Sequence, residues 1–280
     1  MPELPEVETI ARVLRDGTGI YNTSIVGCTV SGAHVLWPRT LATTNPKDFI
    51  EQVAGQTIQS LSRRGKFLVF SLTDCNLLIH LRMSGDLRVE SAADEKGSPR
   101  LFKKHDRLAL DFNNSQRLVF NDTRKFGRAW LVKDPVEVLG GLGPEPLDDG
   151  LSTEVFFNML HIHKRKLKPL LMDQRFLAGL GNIYTDEALH LSRLHPLALS
   201  DKLSQEESAH LLEAIREVLG EGIRRDGASI DWVYRGGDFQ NHFRVYGRAG
   251  DPCPICGTPV ERLVVGQRGT HICPQCQRLD

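Results

Sequence analysis

Four of the six cysteines in this 280-residue chain lie among its last 28 residues, and their spacing constrains the fold more than any other feature. Cys253 and Cys256 form one C-x2-C pair, and Cys273 and Cys276 form another after 16 intervening residues. Each pair can present two thiolates to a tetrahedral ion, and the segment between the pairs is long enough for a β-hairpin. We therefore predict one structural zinc ion held by four cysteines, rather than two disulfides.

The net charge alone does not indicate a nucleic-acid-binding protein, because 35 basic residues balance 35 acidic ones. The basic residues are clustered, however, in residues 100–107 and 163–175. No apolar stretch approaches the length of a membrane span, and the first residues lack the pattern of a secretory signal. We therefore expect a cytoplasmic protein, associated with the nucleoid in a bacterium, that makes no membrane contact.

The spacing of apolar residues changes along the chain. Helical spacing from Pro5 to Asp16 is followed by strand-like segments, among them residues 66–72, 76–83 and 107–112. This half predicts a β-sandwich with a helix attached. Helical patterns dominate the second half, where Ser204 and Glu207 form a capping box.

Residues 134–150 contain three prolines and four glycines, which is typical of an interdomain linker. We predict an α+β protein with a first domain at 1–133, this linker, a helical domain at 151–242 and a cysteine module at 243–280.

A glycine-rich turn precedes one predicted helix, in the sequence LAGLGNIY at 177–184. Gly179 and Gly181 allow close approach of the backbone, and the helix that begins at Asn182 directs free N–H groups outward. Such a helix N-terminus is a potential phosphate site. An ordinary helix–helix turn is the alternative when this segment is considered alone.

The N-terminal sequence PELPEVET at 2–9 can simply begin a helix, since proline suits a first helical turn. It stands in one order with five further motifs, and the whole set resembles the formamidopyrimidine-DNA glycosylase family over essentially the full length of the chain. The further motifs are HLRMSGDLR at 80–88, DTRKFG at 122–127, LAGLGNIY at 177–184, VYGR at 245–248 and the four cysteines.

The resemblance implies a fold and an activity. The fold is an N-terminal catalytic β-sandwich domain with flanking helices, and a C-terminal helical domain with a helix-two-turn-helix motif and a β-hairpin zinc finger. DNA lies between the two domains. Members excise oxidised purines, such as 8-oxoguanine and formamidopyrimidines, and then cleave the strand by β,δ-elimination. We expect a monomer that binds double-stranded DNA containing damaged bases or abasic sites.

Catalytic roles follow from the resemblance, motif by motif. Removal of Met1 exposes the secondary amine of Pro2, and an α-amino group has a pKa of about 7.7–8.0, so part of it is unprotonated near neutral pH. The resemblance makes Pro2 the nucleophile and Glu3 the general acid that opens the sugar ring. It gives Lys66 a part in β-elimination and Arg268 a phosphate contact and a part in δ-elimination.

The resemblance also implies DNA-binding residues. A flipped base leaves a hole in the stack, which an apolar wedge with a cation can fill. The wedge residues would be Met83, Arg124 and Phe126, and the phosphate backbone would be held by His105, Lys164, Lys168 and Asn182.

Two alternatives remain at this stage. The endonuclease VIII branch prefers oxidised pyrimidines, although Leu4 and residues 7–9 resemble the purine branch. A non-catalytic zinc-finger DNA-binding protein would not need Pro2, Glu3 and Lys66 together. One departure from the family is residues 226–244, which are shorter than the loop that closes over the flipped purine in many members.

Overall fold

The computed structural model describes residues 1–17, 24–229 and 236–279. The chain divides into two compact units. Among the described residues, the first unit contains residues 1–2, 6–17 and 24–140, and the second contains residues 3–5, 141–229 and 236–279. Helix α1 (Leu4–Asp16) therefore begins in the second unit and continues in the first.

The first unit is a sandwich of two antiparallel four-stranded sheets, with strand orders β1-β6-β7-β5 and β2-β3-β4-β8. A short helix, α2 (Pro46–Val53), packs beside β1, and another, α3 (Val136–Leu139), follows the last strand. The strands are β1 Val30–Val35, β2 Ser60–Arg64, β3 Phe67–Ser71, β4 Asn76–His80, β5 Gly85–Ser91, β6 Asp106–Phe112, β7 Gln116–Asp122 and β8 Arg128–Val132.

Alternation of side chains along the strands builds the sandwich core. Leu68 and Phe70 of β3 point to the same face and are fully buried with Leu108 and Phe120 of the other sheet. Residues of α1 at helical spacing join this cluster, as Val7, Ile10 and Leu14 do. The α+β class is confirmed.

The second unit is mainly helical. Its helices are α4 (Thr153–Ile162), α5 (Leu167–Leu171), α6 (Asn182–Leu191) and α7 (Gln205–Arg224). The predicted capping box opens α7, since the Ser204 hydroxyl accepts from the Glu207 N–H and the Glu207 carboxylate accepts from the Ser204 N–H. Strands β9 (Glu261–Val265) and β10 (Arg268–Ile272) form the predicted hairpin between the two cysteine pairs.

Two predictions about elements need correction. The strand predicted over 76–83 ends at His80, because Arg82 has a left-handed φ of +54° that starts a turn into β5. The predicted linker also contains α3, and its Val138 and Leu139 cover Val69 and Leu78 on the outer face of a sheet. Within the described residues, no helix has the length and apolar character that a membrane span requires.

Candidate functional site

The N-terminus of α6 holds the carboxylate of Glu3. Only 2 % of Glu3 is exposed, and its Oε1 accepts a hydrogen bond of 3.0 Å from the N–H of Ile183. The first N–H groups of a helix have no partner within it and carry partial positive charge, so a carboxylate is stabilised there. The backbone N–H of Leu4 also donates to the carbonyl of Gly179, at 3.1 Å.

The absence of a side chain at Gly181 allows the Glu3 carboxylate to approach the N-terminus of α6. A Cβ on Gly181 would lie 2.3 Å from the Glu3 Cδ, well inside contact distance. The helix end that we predicted as a phosphate site thus binds an anion of the chain itself. That prediction is wrong for the reason that made it plausible: the exposed N–H groups favour any anion, and Glu3 is already beside them.

Pro2 and Lys66 both lie in the first unit, and both are buried. Lys66 is 4 % exposed although it occupies the two-residue turn between β2 and β3. The turn is supported by Arg63, whose Nε donates to Glu8 at 2.9 Å and whose Nη1 donates to the Gly65 carbonyl. Burial opposes ionisation of Glu8, but Arg63 and Arg12 outweigh it and lower the pKa of Glu8.

The three predicted wedge residues are exposed on two neighbouring turns. Met83 is 37 % exposed and Phe126 is 54 % exposed, although such residues are usually buried. The guanidinium of Arg124 donates to the Met83 carbonyl at 3.0 Å, so the structure brings the two turns together.

Buried polar groups fix both turns. The Ser84 hydroxyl donates to the Asp122 carboxylate, which also accepts from the Gly127 N–H at 2.7 Å. The N–H of Arg124 donates to the Ser84 oxygen at 3.0 Å. Asp122 is 1 % exposed. The wedge residues therefore project from a preformed support.

The buried His80 ring holds the turn that contains Met83 through a hydrogen bond to its backbone. Its Nδ1 accepts from the Arg82 N–H at 2.9 Å, which requires a ring without a proton on that nitrogen. Burial, together with the charges of Arg82 and Lys66, lowers the pKa of His80 to about 3. The ring is therefore neutral at physiological pH.

His105 is half-buried just before β6, and Arg107 fixes its tautomer. A guanidinium nitrogen of Arg107 lies 3.3 Å from the His105 Nδ1, and guanidinium only donates, so Nδ1 accepts and the ring hydrogen sits on Nε2. Arg107 also donates to the Asp122 carbonyl at 2.8 Å. One buried arginine thus connects the predicted phosphate-binding histidine to the support of the wedge.

Lys168 is not placed to bind DNA, which corrects a second prediction. The residue is fully buried, and its Nζ donates to Asp186 at 2.6 Å, to the Thr270 hydroxyl at 2.8 Å and to the Gly269 carbonyl at 3.1 Å. An ammonium group has three hydrogens, and all three are used. Burial lowers the pKa of Lys168, and Asp186 opposes that shift.

The contacts of Lys168 hold the strand that begins with Arg268. Arg268 is exposed and directly follows the tip of the β9–β10 hairpin. The amide of Asn182 donates to the Gly269 carbonyl at 3.1 Å and so supports the same residues. A cavity of about 290 Å³ opens beside Arg268, lined also by Arg165, Lys168, Pro169, Met172, Asp173, Val265 and Gly266.

Lys164 is exposed between α4 and α5, where a phosphate could reach it. The neighbouring Arg165 is paired with Asp173 at 2.8 Å. Of the short segment 226–244, residues 230–235 lie outside the described part of the chain, so its predicted relation to a lesion stays a prediction.

The four sulfurs of the cysteine module fit one tetrahedral zinc ion. All lie within 4.8 Å of one another, with separations of 3.4 Å for Cys256–Cys273, 3.5 Å for Cys256–Cys276 and 3.9 Å for Cys253–Cys276. Zinc–sulfur bonds of about 2.3 Å place the sulfurs of a tetrahedron roughly 3.8 Å apart. A disulfide would need about 2.05 Å, so the disulfide alternative is wrong.

Buried polar residues of α6 hold the zinc module, and the sequence analysis did not identify them. Asp186 accepts from the His271 N–H at 2.9 Å. Glu187 accepts from the three successive N–H groups of residues 244–246. The His190 Nε2 lies 3.3 Å from the Cys253 Sγ. All three are at most 1 % exposed. The available signal was acidic residues and a histidine within an otherwise apolar helix.

This arrangement can carry out acid–base chemistry next to an amine. Glu3 is a buried, oriented carboxylate one residue from Pro2, and Lys66 supplies a buried amine in the same unit as Pro2. In the first unit the exposed Arg124 and Phe126 are suited to contact an anionic substrate with apolar surfaces, and in the second unit the exposed Arg268 is suited to contact an anion.

Comparison with protein families covers most of the chain. The formamidopyrimidine-DNA glycosylase N-terminal domain matches residues 1–129, and the H2TH domain of the same enzymes matches residues 142–233. The zinc finger found in FPG and IleRS matches residues 250–279.

Individual proteins are similar over their full length. The formamidopyrimidine-DNA glycosylase of Protochlamydia amoebophila is 40% identical over 99% of this chain and 100% of its own, and that of Chloroflexus aurantiacus is 44% identical over 99% and 98%. Among solved structures, Lactococcus lactis Fpg bound to DNA containing N7-benzyl-Fapy-dG has a TM-score of 0.88 at 37% identity, covering 99% of this chain and 100% of its own. MutM in complex with DNA containing carbocyclic 8-oxo-G gives 0.88 at 36% identity, with the same coverage.

Proposed function

The chain belongs to the formamidopyrimidine-DNA glycosylase family, and on this premise we propose that it excises oxidised purines from double-stranded DNA and then cleaves the strand at the abasic site. The observation that carries the proposal is the buried Glu3 carboxylate, oriented by the Ile183 N–H one residue from Pro2. A DNA-binding protein without catalysis has no need to bury an acid beside its N-terminal amine.

The first chemical step uses the amine of Pro2, which becomes free when Met1 is removed. Its nitrogen forms a bond to the anomeric carbon of the sugar, and the bond to the damaged base breaks, its electrons leaving with the base. The Glu3 carboxylate accepts the proton that the amine loses and delivers it to the ring oxygen as the ring opens to an imine. The hydrogen bond from the Ile183 N–H orients the Glu3 carboxylate for these proton transfers.

Strand cleavage follows from the imine by two eliminations. Loss of a proton from the carbon next to the imine expels the 3′-phosphate, and a second elimination expels the 5′-phosphate. We assign Lys66 to the first elimination and Arg268 to contact with the phosphate in the second. Lys66 is 4 % exposed and lies in the same unit as Pro2, which supports this assignment.

Binding of the duplex is assigned to the exposed basic and apolar groups. We propose that Met83, Arg124 and Phe126 fill the gap left by the flipped nucleotide. The Nε2–H of His105, the Lys164 ammonium and the second amide hydrogen of Asn182 would donate to phosphates. Zinc, when bound, supplies structure only: it fixes the four thiolates and with them the hairpin that presents Arg268.

Four segments divide this work. Residues 1–133 carry the amine chemistry, and residues 134–150 connect this domain to the next. Residues 151–242 form the helical DNA-binding domain, and residues 243–280 form the zinc finger. We propose that the protein acts as a monomer on chromosomal DNA in the cytoplasm.

Borohydride trapping tests the proposed function. Reduction of the imine should produce a covalent protein–DNA adduct with duplexes that contain 8-oxoguanine or an abasic site, and peptide mapping should place the adduct on Pro2. Glu3→Gln should lose trapping with 8-oxoguanine. A protein that forms no adduct with any duplex would contradict the enzyme proposal, and faster trapping with an oxidised pyrimidine would favour the endonuclease VIII branch.

A further inference from the structure

The turn between β7 and β8 is held at both ends by one carboxylate. Asp122 accepts from the Gly127 N–H, at 2.7 Å, and from the Arg124 N–H, at 3.2 Å. Between these two anchored positions lie Lys125 and Phe126, both exposed. The conformation of the turn therefore depends on what fixes Lys125.

Lys125 adopts a conformation that a residue with a side chain disfavours. Its φ is +62°, in the left-handed region, where glycine, asparagine and aspartate are the usual occupants. A lysine persists there only when its surroundings hold it. The structure offers one such contact: the Lys125 Nζ lies 3.9 Å from the centroid of the Trp37 ring, within the range of a cation–π interaction.

Trp37 is itself attached to the framework. Its backbone N–H donates to the Arg107 carbonyl at 3.1 Å, so the backbone that carries the ring is tied to β6. The segment that follows is tied to β8, since the Arg128 guanidinium donates to the Arg39 carbonyl and the Ala42 N–H donates to the Ala129 carbonyl at 2.8 Å. The backbone that carries the indole is therefore held at both ends of this segment, and the ring lies beside the ammonium group.

We propose that Lys125 is a positioning residue: its ammonium, docked on the Trp37 ring, holds Arg124 and Phe126 in the shape that fills the DNA stack. This inference rests on the proposed function. An exposed lysine beside a DNA-binding turn would ordinarily be expected to contact a phosphate directly. The proposal assigns Lys125 a positioning role instead.

Three variants separate the two roles. Lys125→Met removes the charge and keeps the length, Lys125→Arg keeps a cation that can stack on Trp37, and Lys47→Met is a matched control at an exposed lysine on α2. Each protein is measured for excision of 8-oxoguanine from a duplex, for cleavage of an abasic site in a single strand, and for the salt dependence of duplex binding. Hydrogen exchange of the peptide 121–129 is recorded without DNA.

We expect Lys125→Met to slow duplex excision about three- to tenfold, the range that loss of a partly exposed cation–π contact produces. Single-strand cleavage should stay within twofold of wild type, because no stack has to be filled there. The salt slope should stay unchanged, and exchange in 121–129 should accelerate. In Lys125→Arg, both the excision rate and the exchange rate of peptide 121–129 should be close to those of wild type. Lys47→Met should match wild type in every measurement.

Four results would overturn the proposal. A salt slope shallower by about 0.9 in Lys125→Met would identify a phosphate contact instead. Equal losses on duplex and single strand, or Lys125→Arg behaving like Lys125→Met, would exclude the docked cation. Exchange reads the turn without catalysis, so unchanged exchange contradicts the proposal even if wild type proves inactive, an outcome that would separately contradict the proposed function.

Discussion

Substitution of Gly181 by alanine tests whether the position of Glu3 is what makes this chain an enzyme. The φ of Gly181 is −134°, which alanine adopts without strain, so the effect of the methyl group is purely steric. That methyl carbon would lie 2.3 Å from the Glu3 Cδ, and 2.5 and 2.7 Å from its two oxygens. Because non-bonded carbon atoms prefer about 3.5–4.0 Å, the carboxylate must move by roughly 1 Å or more.

The displacement should slow catalysis and lower stability by a few kcal/mol while the protein stays folded. The moving group is the end of a flexible side chain, so the fold can accommodate the methyl group, and alanine in place of glycine at a helix N-cap costs about 1 kcal/mol or less. Glu3 loses its hydrogen bond from Ile183, worth about 1.5–3 kcal/mol for a charged acceptor. A misplacement of about 1 Å in a reacting group can cost about 100-fold in rate.

The assay compares single-turnover excision of 8-oxoguanine with binding to a duplex that carries an uncleavable abasic-site analogue. We expect Gly181→Ala to slow excision about 100-fold, to keep binding within about threefold and to lower the unfolding temperature by roughly 5–15 °C. Gly141→Ala is the matched control, since no atom lies within 4 Å of the added methyl group. Excision within threefold of wild type in a folded Gly181→Ala protein would refute the assigned role of the Glu3 geometry.

Three further predictions concern the supports of the site. Lys168→Met should lose about 3–5 kcal/mol of unfolding free energy, because the Asp186 carboxylate stays buried without a cation. The substitution should also displace Arg268 and so reduce δ-elimination relative to β-elimination. An unchanged ratio of the two elimination products would contradict this positioning role. The folded-state pKa of His80, about 3, lies below the unfolded value of about 6.5, so its stabilisation is complete above about pH 6.5 and is lost as pH falls. His80→Asn should therefore flatten the pH dependence of unfolding between about pH 6 and 4 by up to about 1.4 kcal/mol per pH unit, and an unchanged slope would contradict it. His190→Leu removes the ring beside the Cys253 sulfur and should speed zinc loss to a chelator about 10-fold or more; equal rates would show that the contact does not matter to the metal.

The parts of the fold that depend on local patterns could be predicted from the sequence. The helical spacing of Val7, Ile10 and Leu14 and the capping box at Ser204 are each decided by residues within one or two turns. The cysteine spacing is also local, because each C-x2-C pair needs only its own knuckle. These predictions are confirmed by the core, the caps and the sulfur cluster.

Burial of polar groups could not be predicted in the same way. The sequence shows that Lys168 is a cation in a basic stretch, but its partners Asp186 and Thr270 are 18 and 102 residues away. Whether a lysine faces solvent or a buried carboxylate is decided by tertiary packing. The same limit applies to His190, which the sequence places on a helix without indicating that Cys253 lies against it.

The net charge of the chain does not describe the charge that its surface presents, because acids and bases are both buried. Several acids do not face solvent at all: Glu3, Asp122, Asp186 and Glu187 are each at most 2 % exposed and accept from backbone N–H groups. Their charge is compensated locally, by helix ends, by N–H groups and by Lys168 in the case of Asp186. Exposed cations such as Lys164 and Arg268 lack this compensation and can attract phosphates from solution. A count over the whole sequence weighs buried and exposed charges equally, so it does not identify the exposed cations that can meet a phosphate.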